Sequence, residues 1–506
     1  MRKVRLVPFV VAALMIGEVV VAGLVLWPAG SGDETGPVAL YSLPSAPDES
    51  WRIDADEILG NESDRSIMAV KSATTDVLVA EAVADPYAYT STLAAIDNRS
   101  GETLWTDESD GRWTACAVNI DDILSCVKTR HERGATVTHV HFFDVRSGDT
   151  EAQYTVNLGG PVDIASSASG FVVAATRNDS YRPPAERGIA PSYTPTAPRP
   201  AVKDGRTLLV GFSSSGERKW STQTPVGQRE LHSVDNSNLI AVEGTHEIGF
   251  SIYRIDTGDQ VHRAAEPVDN LVYALAAQRK YSRSHDGRIA IVGGTTAEEY
   301  VLFDGGFAAT ATTEPIVRLF DDTGAQTGEL SGWLLAQQPF SEPRTPIDDN
   351  HVPVVEWTSR RIGVVDSSTG TLLWTHDSPP HTAITVRAIG DGSLALVRDF
   401  PDGHGSIFQT WQVADADTGD TGEPLSTRFG QWFLGSDGER LILSGDENAT
   451  TQPNIPRLTA FSDQTGEQIW QIEPISDSST EWKRLGRSLY LQSQVGTGPS
   501  WIARYS

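Results

Sequence analysis

The sequence predicts an all-β propeller of four-stranded antiparallel blades preceded by one transmembrane helix, on three observations. A glycine-closed turn between two apolar strands recurs along most of the 506 residues, at spacings mostly near 47. A tryptophan stands four residues after several of those glycines. Ahead of the repeats runs an apolar segment long enough to cross a bilayer.

Length alone suggests several domains, because single cores rarely grow past about 250–300 residues. Repeat folds escape that limit, since each unit packs only on its neighbours. The 45 glycines, 13 tryptophans and two cysteines fit many short strands joined by turns rather than a disulfide framework. The net charge of −27 argues against nucleic acid as a partner, because phosphate binding requires a dense basic surface.

The apolar segment is 6–27, LVPFVVAALMIGEVVVAGLVLW. At 1.5 Å per residue such a helix covers roughly 33 Å, against a hydrocarbon core of about 30 Å. A secretory signal has a shorter apolar region and a small-residue cleavage site, which is not evident after Trp27. A long cleaved signal is the alternative. The two cysteines, Cys116 and Cys126, lie far downstream, which excludes a lipoprotein anchor. Arg2, Lys3 and Arg5 precede the segment and Asp33 and Glu34 follow it. The positive-inside rule then places a tail of residues 1–5 in the cytoplasm and the remainder outside, on a single-pass cell-membrane protein. Glu18 falls in mid-membrane, where it is protonated or shielded in a helix contact, or else meets a membrane partner. Residues 28–50, rich in Gly, Ser, Pro and acids, read as a flexible linker.

From 51 to 506 the repeats follow. The clearest are AAIDNRSGETLW (94–105), GVVDSSTGTLLW (363–374) and TAFSDQTGEQIW (459–470). In each, an Asp, Ser or Thr bonds to nearby backbone and glycine supplies the positive φ that closes the turn. The glycines are 101, 148, 216, 258, 324, 370, 419 and 466. Trp105, Trp220, Trp374 and Trp470 come four residues later, where a large flat ring suits docking between neighbouring sheets. A second turn precedes each of these, as in SASGFVVAA, SHDGRIAIV, IGDGSLALV and GSDGERLIL. Each unit therefore reads as strand, turn, strand, variable loop, strand, glycine turn, strand, which is a propeller blade.

The pattern Ile/Val-Asp-x-x-Ser/Thr-Gly-x-x-x-Trp resembles the PQQ-type propeller repeat over roughly 51–506. That repeat occurs in quinoprotein alcohol dehydrogenases and in an outer-membrane assembly scaffold of the same eight-bladed fold. The resemblance implies eight blades, although nine units can be counted. ESWRIDA (49–55) reads as a last strand and 480–506 as three strands lacking a fourth, so joining them closes the ring.

Two longer segments, 180–204 and 293–315, read as insertions between the second and third strands of their units, with shorter loops ADPYAYTS and DFPDGHGS at the same place. Such loops emerge on one face, and function concentrates on loops. Tyr181, Arg182, Arg187, Tyr193 and Arg199 make the first insertion a candidate partner loop, a solvated loop being the plain reading. Cys116 and Cys126 flank Asp121 symmetrically, so a hairpin centred there brings them together as a candidate disulfide; two buried thiols are the other reading. His139 and His141 share a strand face as packing residues, and DADTGDTGE (415–423) is a repeat turn rather than a calcium loop.

No serine elbow, zinc-protease helix, phosphate loop or dinucleotide fingerprint is present. No catalytic, cofactor-binding or metal-ligating residue is assigned. In the enzyme branch the resemblance implies PQQ, calcium and a catalytic aspartate, but no residue here matches those roles. The expectation is a non-enzymatic, membrane-anchored binding or scaffold protein without cofactor. Its partners would be envelope proteins or surface components. The alternative is a PQQ-dependent dehydrogenase with a degenerate site. A sensor is disfavoured by so short a cytoplasmic tail.

Overall fold

The computed structural model describes residues 40–506 apart from gaps, the longest being 177–206, 265–281, 337–350 and 446–456. The apolar segment 6–27, Glu18 and the linker up to Ala39 lie outside the described residues. Among the described residues no helix is long and apolar enough to cross a membrane.

The recurrent turns do form. All eight repeat glycines have φ between +67° and +82°. Asp97 shows the local logic: one carboxylate oxygen accepts the backbone N–H of Arg99 (2.9 Å) and of Ser100 (2.8 Å). Asp144, Asp366 and Asp415 cap their turns in the same way.

These turns connect strands into nine four-stranded antiparallel sheets among the described residues. Blades 1 to 8 cover 67–109, 112–156, 162–223, 228–263, 298–331, 333–376, 383–428 and 431–472. Blade 9 joins Thr480–Leu485, Ser488–Ser493 and Trp501–Tyr505 to Glu49–Asp54, which pairs antiparallel with Trp501–Tyr505. The ring thus closes with an early strand completing the last blade, as the two flanking half-units require. The short helix Ala55–Leu59 leads from it into blade 1 and buries Ala55 and Ile58.

The expected eight blades are therefore corrected to nine, the number obtained by counting the glycine turns and the composite blade. The segment 293–315 is also corrected. It is not an insertion but contains the first two strands of blade 5, Glu298–Phe303 and Gly306–Ala311. Among the described residues, the stretch around SHDGRIAIV supplies Ser282–Arg283 and Ile289–Ala290, a two-stranded pair outside the four-stranded sheets. Both segments carry an Asp-Gly turn between apolar runs. The strands of blade 5 pack into a seam: Tyr300 lies 4.2 Å from Phe250 of blade 4, ring to ring.

Among the described residues no blade has a core of its own, and nine apolar clusters form, one between each pair of neighbours. Ile53, Tyr490 and Ile502 of blade 9 meet Met68 and Leu78 of blade 1, so the last seam is as apolar as the others. First strands of neighbouring blades touch, as in blades 1 to 4, and so lie innermost. Fourth strands are the most exposed, alternating outward and inward residues.

The linker expectation needs one further correction. Leu40 and Leu43 are buried between blades 8 and 9 rather than lying in a free tether. Leu40 donates its N–H to Ser436 O (2.6 Å), Tyr41 to Arg487 O (3.0 Å) and Leu43 to Asp437 Oδ2 (2.7 Å). Two leucines in a polar, Pro-rich stretch are enough to seat this strap, and Glu49 and Ser50 already belong to the strand of blade 9.

Gly148 and Gly370 separate the two demands on a turn glycine. Both have positive φ, +75° and +68°, but a Cβ on Gly148 would lie 2.7 Å from the Trp105 ring, whereas on Gly370 the nearest atoms are 3.6 Å away. Gly370→Ala is expected to lose about 1–2 kcal/mol through left-handed strain alone. Gly148→Ala should lose roughly 2–5 kcal/mol, because overpacking adds to that strain. Urea unfolding midpoints of the two variants check the difference.

Candidate functional site

The strand order gives the ring two chemically different faces. Turns between first and second strands, and between third and fourth, share one face, here the turn face. The ion pairs of Arg146 with Asp76 and Asp122 join turns of both kinds across blades 1 and 2. Loops between second and third strands, together with the blade-to-blade connections, occupy the opposite loop face. Thr176 pairs with Thr207, so the 177–206 segment leaves and re-enters blade 3 on the loop face.

Neighbouring turns are locked to each other by tryptophan. The Trp105 indole N–H donates to Val145 O (2.9 Å), Trp220 to Ile255 O (2.6 Å) and Trp374 to Ala416 O (2.7 Å). In each case the acceptor lies three residues before the next blade's turn glycine, and the ring covers that glycine. Trp51 of blade 9 makes the same contact with Asn98 O (2.9 Å) and Gly101 of blade 1. Blade 9 has no glycine turn of its own, and Trp470 instead donates to Leu43 O of the strap (2.9 Å). Where tryptophan is missing, Phe142 covers Gly216 and Val261 covers Gly324, which explains why those copies look degenerate in sequence.

The seam between blades 1 and 2 contains the densest set of buried ionisable groups described. Glu81 is buried with Lys71 Nζ at 3.0 Å and Arg112 Nε at 3.1 Å, and accepts the Trp113 backbone N–H at 2.9 Å. Burial pushes its pKa up, but the two cations and their hydrogen bonds outweigh that and hold it below the usual carboxylate range. Next to it, Lys128 Nζ lies 4.8 Å above the Trp113 ring and 3.3 Å from Ser109 Oγ. Burial lowers the Lys128 pKa and raises that of Asp107, while each group's charge opposes the other's shift.

Cys116, Cys126 and His141 occupy one row across three adjacent strands, and the two cysteines are joined by a disulfide, Cα atoms 4.1 Å apart. The hairpin turns at Asn119–Asp122, with Asp122 at φ +59°. His141 stacks on Phe143 and meets the edge of Trp113, and its Nε2 is buried without a hydrogen-bond partner. Burial, reinforced by Lys128, His139 and Arg130, lowers its pKa to about 3, so it is neutral. The set links two blades; among the described residues it gathers no three His, Cys, Asp or Glu side chains able to hold a metal ion.

Of the singled-out residues, the structure brings Cys116 and Cys126 together and places Trp105, Trp220, Trp374 and Trp470 at seams. Tyr181, Arg182, Arg187, Tyr193 and Arg199 lie outside the described residues. Sequence reading missed Glu81, Lys71, Arg112 and Lys128. A charge inside an otherwise apolar strand, as in VLVAEAV, was the available signal. It also missed the docking role of Trp51, which has no glycine turn before it, and the strap leucines.

Fold and docking pattern together define a nine-bladed β-propeller. The model of a family described as the conjugation-associated 9-bladed beta-propeller domain matches residues 274–498, somewhat less than half of the chain. Comparison with curated proteins gives no match. Among solved structures, BamB from Moraxella catarrhalis is 13% identical over 91% of this chain and 98% of that one, with a TM-score of 0.37. The computationally designed Ika8 protein is 15% identical over 93% and 99%, TM-score 0.37. Quinohemoprotein alcohol dehydrogenase from Comamonas testosteroni is 13% identical over 91% and 76%, TM-score 0.35.

Two variants test the ionic seam. Glu81→Gln leaves Lys71 and Arg112 without their carboxylate and should lose about 3–5 kcal/mol at neutral pH. Glu81 has a depressed folded-state pKa, so its contribution is present above about pH 4.3 and is lost as pH falls through the lower folded value. His141 differs: stability is full above its unfolded pKa of about 6.5 and declines as pH falls towards 3. His141→Phe should therefore flatten the loss of stability between pH 6.5 and 4. Urea midpoints from pH 7 down to about 3 read both effects.

Proposed function

We propose that this chain is a single-pass cell-membrane protein whose nine-bladed ring works outside the cytoplasm as a non-enzymatic binding scaffold in a conjugation-associated assembly. The observation that carries this reading is the ring of nine blades, whose second half is matched by a family with that blade number and that association. The apolar run 6–27 with its flanking charges supports the anchor and its orientation. The loops gathered on one face support binding, since a rigid ring holds them at fixed positions.

On this reading the partners are envelope proteins or surface components, reached through the loop face. Tyr181, Arg182, Arg187, Tyr193 and Arg199 supply local positive charge and aromatic surface in an otherwise acidic chain. No cofactor is required. The disulfide is consistent with an oxidising compartment.

In a conjugating donor cell that carries this chain, its deletion should lower plasmid transfer. The full chain should restore transfer, and a variant lacking 6–27 should not. Unchanged transfer on deletion would remove the conjugation reading. Calorimetric titration of the purified full chain with PQQ and Ca²⁺ should give no saturable heat. Saturable binding with dye-coupled alcohol oxidation would make the protein a dehydrogenase instead.

A further inference from the structure

We infer that the ring is held with its turn face towards the bilayer, so that the loop face is the surface presented to a partner approaching from outside. This rests on the membrane anchor proposed above, and adds which side of the ring a partner meets.

The strap decides it. Its N–H groups donate to the turn face: to Ser436 O and Asp437 Oδ2 at the first turn of blade 8, and to Arg487 O at the first turn of blade 9. Leu43 O receives the Trp470 indole N–H, the position that a repeat turn fills at other docked seams. Tyr41 lies under the Arg487 guanidinium at 5.0 Å. The chain therefore joins the ring at its turn face, between blades 8 and 9.

Residues 28–39 alone separate Trp27 from Leu40. Fully extended, those thirteen steps reach at most about 45 Å, and a flexible chain of that length has a root-mean-square span of roughly 20 Å. Turning the ring over would require the tether to pass its whole thickness. Strands of six to ten residues make that about 20–33 Å. That takes a tether stretched to or beyond its root-mean-square span and directed along the bilayer normal, and such conformations are the smaller part of those available. Backbone and hydroxyl donors hold Asp97, Asp144, Asp321, Asp366 and Asp415 ionised on the turn face, so anionic headgroups oppose its close approach. That repulsion is screened beyond a Debye length of about 8 Å, a standoff the tether spans without turning the ring over.

The test uses the full chain, disulfide intact, in phosphatidylcholine–phosphatidylglycerol vesicles with a headgroup-linked acceptor dye. Donor dye is placed on Thr90→Cys or Arg99→Cys, exposed residues at opposite ends of the strand Ser91–Asp97 on the loop and turn faces. Energy transfer from position 99 should be at least about twice that from position 90, given a separation of roughly 25 Å along the strand. Adding Leu40→Asp and Leu43→Asp should bring the two efficiencies together while the protein still floats with the vesicles. Equal or reversed efficiencies in a chain that floats would overturn the orientation and leave the anchor standing. A chain that does not float overturns the anchor and the orientation with it.

Discussion

A four-stranded sheet with apolar side chains on both faces can be stable only between two other sheets. Everything else in this molecule follows from that constraint. Each of the nine blades has buried residues facing both neighbours, so the smallest structure that leaves no apolar face open is a closed ring. The tryptophan–glycine contacts set how the blades meet. An indole lying on a bare glycine and donating to a carbonyl three residues away fixes distance and direction together. Sheets packed by aliphatic side chains alone would slide more easily, because dispersion contacts are individually weak and not directional.

The seam between blades 1 and 2 departs from this pattern. It exchanges some aliphatic packing for Glu81, Lys71, Arg112 and Lys128 around Trp113. Such a set adds little net stability compared with a well-packed apolar seam, since desolvation offsets most of the attraction. What it adds is intolerance of mispairing: blade 1 holds Glu81 and Lys71 together, and only the correct neighbour presents Arg112 and the Trp113 backbone N–H to the carboxylate. The disulfide secures the hairpin that carries one side of this seam.

Much of the fold was legible because glycine, aspartate and tryptophan act locally. A turn needing φ near +75° names its own residue, and a ring that covers it must be large and flat. The blade number was also legible from those turns; preferring the resembling family's eight over the nine counted units produced the error. The segment 293–315 misled for a different reason. A strand pair and a loop with an Asp-Gly turn look alike until packing decides which side chains are buried. The strap was hidden because Leu40 and Leu43 have no periodic context, and the ionic seam because a lone charge within an apolar strand identifies burial only once its partners are known. The candidate partner loop rests on composition alone, which specifies neither contact nor geometry.

The composite blade bears on how the protein is made. Its outer strand, Glu49–Asp54, is synthesised near the beginning, and the strand it pairs with, Trp501–Tyr505, some 450 residues later. Until residue 505 has emerged, blade 1 has an uncovered face and Glu49–Asp54 has nothing to pair with. Ring closure therefore waits on Trp501–Tyr505. A chain truncated before that strand keeps an apolar face and an open edge exposed, the features that attract aggregation and proteolysis. Joining Glu49–Asp54 to Trp501–Tyr505 in one sheet thus makes the fold of every blade between them wait on a strand made some 450 residues later.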